Sequence, residues 1–177
     1  VFRYFDGQTD DAALTRAVAA SAASLGARVA CPARFAGADR RDDGYLVRYE
    51  EAGRSAECLT STLVNAAGPW ANQALERIQP RPAATEVDLV QGTHLVLPGT
   101  VQRGIYYVEA PADRRAVFVM PWKDGQTLLG TTETPFEGDP DGARPLERET
   151  GYLLETLRRY FPARTASPVA SFAGLRV

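Results

Sequence analysis

Leu63-Val64-Asn65-Ala66-Ala67-Gly68-Pro69-Trp70 reads as a buried strand that runs straight into the start of a helix. Leu63 and Val64 carry strand character, Gly68 removes a side chain where a close approach to the backbone is needed, and Pro69 suits the first helical turn. The N–H groups freed at such a helix start face outward and suit a phosphate group. The same Asn, Gly and Pro also serve backbone geometry alone in many strand-to-helix turns. What lies on either side of the stretch therefore has to decide between the two readings.

Upstream, Thr9 or Asp10 can cap a helix whose apolar stripe is Leu14, Ala17, Val18, Ala22 and Leu25, ended by Gly26. Short runs of strand character follow at 28–30, 33–38, 45–50 and 57–60, separated by turn signals at Asp42-Asp43-Gly44 and Ala52-Gly53. They predict a small antiparallel meander, after which a strand over 62–65 enters the Pro69 helix. That helix is expected to run to Arg77 or Ile78, before Pro80 and Pro82.

Downstream of Thr85 the texture changes to longer strands, expected at 86–90, 93–97, 105–108, 116–121 and 127–130, with a turn at Lys123-Asp124-Gly125. A loop at Gly138-Asp139-Pro140-Asp141-Gly142 precedes a helix opened by Pro145, with Leu146, Leu153, Leu157 and Phe161 on one face and Pro162 closing it. A strand returns at 169–172. No internal repeat or low-complexity segment stands out.

Composition narrows the function. The 177 residues hold 45% hydrophobic and 24% charged residues with a net charge of −2, as in a globular chain with one sizeable core or one domain plus part of another. Lys and Arg are dispersed rather than gathered in a stripe with aromatics, which argues against a nucleic-acid partner. Cys31 and Cys58 are far apart and His94 is the single histidine, so a structural zinc has too few ligands, no metal is expected, and both thiols are expected reduced. No apolar run is long enough to cross a bilayer. Val1-Phe2-Arg3-Tyr4 is neither a signal peptide nor an initiator, and the chain stops within an ordered-looking segment, so it is expected to be cut from something larger.

Three places carry polar chemistry. His94 lies in a strand among Leu95 and Leu97, and an imidazole can transfer protons near neutrality, although a lone histidine is often structural. Arg176, after Gly174 in an apolar strand, offers a planar fork to a phosphate or carboxylate, or else a surface ion pair. Gly130-Thr131-Thr132-Glu133 gathers hydroxyls and a carboxylate at a strand end, or is an ordinary turn.

Taken in order, the blocks resemble the central part of the FAD-dependent glycerol-3-phosphate dehydrogenases, within the D-amino-acid-oxidase-like flavoproteins. The matching pieces are Tyr4-Phe5-Asp6-Gly7 with Asp10-Asp11 and Leu14, Val64 through Trp70, Gly92-Thr93-His94-Leu95-Val96-Leu97-Pro98, and Val117 through Trp122. They continue with Gly130-Thr131-Thr132-Glu133, Glu149 with Tyr152-Leu153-Leu154, and Ala173-Gly174-Leu175-Arg176. Glu133 stands where the family usually has Asp, and Val177 where it usually has Pro. The GxGxxG of an N-terminal strand and a Gly-Gly-Lys-Thr-like block are absent from the chain, so the resemblance implies a fragment that does not keep FAD by itself.

The implied fold is mixed α/β and α+β: a partial FAD-binding Rossmann-like domain over 1–84, rejoined by 169–177, with an antiparallel-sheet substrate cap over 85–168. The implied reaction is oxidation of glycerol 3-phosphate to dihydroxyacetone phosphate with hydride transfer to FAD and electrons passed to a quinone. Arg176 is assigned to the substrate phosphate and His94 to the C2 hydroxyl, with the base lying elsewhere in the intact protein as the alternative. Thr131 and Thr132 line the pocket. Asn65, Ala66, Ala67, Gly68 and Trp70 match the FAD-contacting turn, and Phe35 falls where the adenine is touched through the backbone, a packed aromatic being the alternative. Phe118 and Trp122 are expected to be sheet core. A cytoplasmic location is implied, any peripheral membrane attachment being carried by regions outside this chain. Three other readings stay open: an oxidase using oxygen, an amino-acid-oxidase-like enzyme, and a non-catalytic binding module on a flavoprotein scaffold.

Overall fold

The structure, a computed structural model, describes residues 2–84 and 86–177. The first helix, α1 (Asp11–Ser24), forms as its cap predicts: the Asp10 carboxylate accepts from the Ala13 N–H at 3.1 Å, and Gly26 leaves the helix at φ +98°. Its apolar stripe stays in the open, Leu14 at 52% and Val18 at 60% exposure, so amphipathic spacing predicts the helix without locating a partner for it.

The meander is β1 (Ala33–Arg41), β2 (Gly44–Glu51) and β3 (Arg54–Thr60), joined by the two expected turns. No strand forms over 28–30. Gly44, at φ +142°, is required where it stands, since a Cβ there would meet the Thr60 carbonyl oxygen at 2.1 Å.

The stretch that opened the sequence reading is corrected by the structure. Residues 62–65 form no strand, and Val64 is 79% exposed. A strand exists only within a ladder, and among the described residues no neighbour pairs with this segment. The chain enters a 3-10 turn over Gly68–Trp70 and then a short α2 (Ala71–Leu75), not a helix reaching Arg77. Ile78–Gln79 is instead β4, which pairs in parallel with β1 through Ala38 and Ile78, giving the sheet order β3-β2-β1-β4.

The remaining strands are β5 (Leu89–Leu97), β6 (Tyr106–Glu109), β7 (Ala116–Pro121), β8 (Thr127–Gly130), β9 (Thr134–Phe136) and β10 (Ala170–Arg176). They form one antiparallel sheet in the order β10-β5-β8-β7-β6, with β9 also on β5. Two expected strands merge into β5, which runs unbroken through Gln91 and Gly92, and β9 carries no strand pattern in sequence because Pro135 interrupts it. The change of texture expected at Thr85 falls outside the described residues.

One face of this sheet is covered by α3 (Glu147–Tyr160), whose Leu153 and Leu157 pack with Leu95, Leu97, Val117, Val119 and Leu129. These are the alternate residues of each strand, as a half-buried antiparallel sheet demands. The chain divides into two compact units: one runs to Leu63 and includes Arg77–Pro80, the other comprises Val64–Glu76 and everything from Arg81 on. The 169–177 segment, expected to rejoin the 1–84 portion, supplies β10 to the second unit, as an edge strand beside β5.

Candidate active site

The side of the sheet away from α3 carries the polar chemistry. Residues directly opposite one another on neighbouring strands share a face. Through that rule the pairs Phe172–His94, His94–Gly130, Gly130–Phe118 and Phe118–Tyr107 form one row across β10, β5, β8, β7 and β6. The His94 ring stacks on Phe172, centroids 5.1 Å apart and planes 10° apart. On its other side lies Gly130, where a Cβ would come within 2.3 Å of the imidazole Cδ2. Gly130 thus lets the imidazole lie flat across β8. Phe118 meets Tyr107 edge-on at 4.9 Å, so Phe118 belongs to this face and not to the core.

In the next row along β5 Gly92 pairs with Gly174. The space over Gly92 is filled by Thr131 Oγ1, while a Cβ on Gly174 would meet nothing within 4 Å, so a gap opens over Gly174. Beyond it Arg176 pairs with Val90, on the same face as His94. The guanidinium folds back along the gap, its Nη2 only 3.7 Å from where a Gly92 Cβ would stand. Gly92 and His94 are two residues apart on one strand, so the backbone positions beside which the two side chains lie are roughly 7 Å apart along β5. Two groups 82 positions apart in sequence are brought together by one strand pairing.

Arg176 Nη2 donates to the Thr132 carbonyl at 3.2 Å and lies 3.6 Å from Glu133 Oε1. Arg115 holds the other side of Glu133, 3.7 Å from Oε2, and donates to its carbonyl at 2.9 Å. Thr131 Oγ1 stands over Gly92, 2.4 Å from an added Cβ. Thr132 is buried, its Oγ1 accepting from the Thr93 N–H at 2.9 Å and donating to Glu149 Oε1 at 3.1 Å.

Glu149 lies in one of the blocks that carry the family resemblance, and its place in the sequence assigns it no role. It is 3% exposed and its carboxylate accepts five hydrogen bonds, none from a cation. The donors are Gln91 Nε2 (2.9 Å), Thr93 Oγ1 (2.6 Å), Thr132 Oγ1 (3.1 Å), Thr134 Oγ1 (2.7 Å) and the Leu146 N–H at the start of α3 (3.0 Å). Burial pushes this carboxyl up, and the hydrogen bonds from Thr93, Thr134, Leu146 and Gln91 outweigh it, holding the group below its ordinary value of 4.5. The signal in the sequence was one acid three residues after a helix boundary, which reads as a capping feature alone. On the same helix, burial and a hydrogen bond donated to Asp113 push the Tyr152 hydroxyl up to about 12.

The Asn65–Trp70 turn lies beside β10. Asn65 staples it, with Oδ1 accepting from the Ala67 N–H at 3.2 Å and Nδ2 donating to the Ala71 carbonyl at 2.9 Å. Ala66 is exposed, and Gly68 at φ +52° has open space where its side chain would be. Trp70 Nε1 donates to Asp141 at 3.2 Å, which commits its polar edge to the protein. Phe35 is half-buried in β1, where its carbonyl accepts from Arg77 Nη1 at 3.0 Å. Trp122 sits under Lys123, 5.4 Å from the ring centroid. Among the described residues no cluster of His, Cys, Asp and Glu could hold a metal ion, and no helix is long and apolar enough to cross a membrane.

The open sheet face thus carries an imidazole, a guanidinium and a gap over Gly174, and the exposed glycine turn lies beside β10. The chain belongs to the FAD dependent oxidoreductase (DAO) family, which it matches over residues 1–177. It is 33% identical over 178 residues to a glycerol-3-phosphate dehydrogenase of Pseudomonas aeruginosa, covering 99% of this chain and 35% of that protein. It is 30% identical over 179 residues to the D-erythritol 1-phosphate dehydrogenase of Brucella abortus, covering 99% and 36%. The glycerol-3-phosphate dehydrogenase of Bacillus halodurans, solved in complex with FAD, superposes with a TM-score of 0.85 at 26% identity over 96% of this chain and 35% of that one. The mixed α/β and α+β fold expected from sequence is the fold of that neighbour. The chain spans about a third of the length of these relatives.

Proposed function

We propose that the protein containing this chain oxidises sn-glycerol 3-phosphate to dihydroxyacetone phosphate with FAD, passing electrons on to a quinone. The observation that carries this reading is Arg176 folded back beside the gap over Gly174 on the face that bears His94.

The residues present fit a flavin on one side. The turn at Asn65-Ala66-Ala67-Gly68, exposed at Asn65, Ala66 and Gly68, and the gap over Gly174 are surfaces that a planar ring can approach, and the added Cβ atoms that would bar it are missing at Gly68 and Gly174. Asn65 through Gly68 and Trp70 would hold it, with Thr131 and Thr132 along its edge. When bound, FAD supplies the two-electron chemistry, accepting the hydride of substrate C2.

The chain's own groups do the rest. Arg176 takes the substrate phosphate with its fork, the phosphate replacing Glu133 as the guanidinium's anionic partner. His94, its ring plane fixed by Phe172 and Gly130, accepts the proton of the C2 hydroxyl. Phe172 and Phe118 line the face on either side of the imidazole row. In this reading β10 is both a strand of the cap sheet and the carrier of Arg176. The protein is assigned to the cytoplasm, with any membrane attachment peripheral.

The test is expression of the intact protein, with flavin absorbance, turnover of glycerol 3-phosphate with a quinone analogue, and oxygen uptake measured side by side. Quinone reduction without oxygen uptake is expected. Oxygen uptake alone makes the protein an oxidase, a flavin-loaded protein inert toward glycerol 3-phosphate points to another polyol phosphate or to an amino acid, and a protein without flavin reduces the scaffold to a binding module.

A further inference from the structure

Burying a carboxylate without a cation is expensive, and a well-packed apolar side chain generally serves stability as well or better. Glu149 is nevertheless buried in the first turn of α3, and its five donors come from three parts of the chain: Gln91 and Thr93 of β5, Thr132 and Thr134 of the segment that leaves β8 and enters β9, and the Leu146 N–H before α3. Capping α3 needs only the last of these. The two threonines of the segment after β8 both bond one oxygen, Oε1, while the β5 side chains and the helix start share Oε2.

That segment also supplies both partners of Arg176. The Thr132 carbonyl accepts from Nη2 at 3.2 Å, and Glu133 lies 3.6 Å from the same nitrogen. Thr132 is thereby a relay: its hydroxyl is fixed by Glu149 and by the Thr93 N–H, and its carbonyl fixes the guanidinium.

We infer that Glu149 is a positioning residue for anion binding, holding Thr132 and Glu133 so that Arg176 is folded beside the gap over Gly174, where it meets the phosphate of the substrate. The inference rests on the proposed oxidation of a phosphorylated polyol for its substrate, but its physical content is the affinity of Arg176 for a phosphate anion. Glu149 touches neither substrate nor cofactor. Its effect travels through one threonine.

The experiment uses the intact FAD-loaded protein and four single variants, Glu149→Gln, Thr132→Val, Thr132→Ser and Arg176→Ala, with the double variant Glu149→Gln/Arg176→Ala. Inorganic phosphate is titrated by calorimetry, and KM and kcat for glycerol 3-phosphate and the melting temperature are measured in parallel. Glu149→Gln and Thr132→Val are expected to weaken phosphate binding and raise KM about tenfold, the size of one lost charge-assisted hydrogen bond. Thr132→Ser, which keeps the hydroxyl, restores the affinity. The effect of Glu149→Gln on kcat is expected to be much smaller than on KM, and the double variant to bind phosphate no more weakly than Arg176→Ala alone.

Variants that melt earlier but bind phosphate as the wild type does would overturn the inference, as would independent, additive losses in the double variant. Should Glu149→Gln not fold, the contrast between Thr132→Val and Thr132→Ser decides the matter. A wild type that binds phosphate through Arg176 yet leaves glycerol 3-phosphate untouched defeats the proposed function while the affinity comparison still judges Glu149. Absence of any Arg176-dependent phosphate binding defeats both.

Discussion

Glu149 makes its contribution to stability only while ionised, and the sign of its pH dependence follows. Its folded pKa lies below the ordinary 4.5, so as pH falls the unfolded chain takes up the proton first. The stabilisation is complete above 4.5 and is lost as pH drops through the lower folded value. Urea unfolding of wild type and Glu149→Gln between pH 7 and pH 3 is expected to show a gap of a few kcal/mol at neutrality, from donors left unpaired, that narrows toward the acid end. A gap independent of pH in that range would mean that folding leaves the carboxyl's proton affinity unchanged, and one that widens toward the acid end would mean the group is buried neutral. At Gly130 the constraint is space: a Gly130→Ala side chain falls on the His94 ring, and the ring must leave Phe172 to make room. The expected result is a kcat reduced by at least about tenfold, as misplacing a proton acceptor costs up to 10²–10⁴, with flavin absorbance unchanged. A kcat equal to that of the wild type would remove His94 from the proposed proton transfer.

The elements differ in how they are stabilised. α3 is held by burial of Leu153 and Leu157, 0% and 2% exposed, against the sheet. Leu153→Ala is expected to cost about 2–5 kcal/mol by urea denaturation, while Leu14→Ala on the exposed stripe of α1 changes stability in this chain by less than about 1 kcal/mol. These two helices show what spacing alone conveys. Both have apolar residues at intervals of three and four, and both are helices, yet only the tertiary structure decides which stripe is covered. The 62–65 segment errs in the opposite direction. Its residues favour a strand, but a strand also needs a neighbour, and the ladder is a property of two segments rather than one. Strands with a partner close in sequence, such as β1 with β2 across Asp42-Asp43-Gly44, were legible because a turn fixes the register.

At the scale of the molecule, the proposed site depends on β5 lying between β10 and β8. Arg176→Ala in the intact protein is expected to raise KM for glycerol 3-phosphate by roughly 10- to 100-fold, the equivalent of losing about 1.5–3 kcal/mol of charged hydrogen bonding. The small rate with unphosphorylated glycerol should change little, as steady-state kinetics on both substrates would record. Equal losses on the two would assign Arg176 to the fold rather than to the phosphate.

The sequence by itself determined the kinds of residues available and much of the local structure: the capped first helix, the meander with its turns, the amphipathic α3 and the order of blocks that marks the family. Caps, turns and periodicity depend on neighbours a few residues apart, so they are written locally. What only the tertiary structure decided is which of these residues meet. His94 and Arg176 share a face because β10 pairs with β5, Gly130 matters because an imidazole lies across it, and Glu149 matters because three parts of the chain point donors at one carboxylate. Those contacts join residues tens of positions apart, and no local rule of spacing contains them.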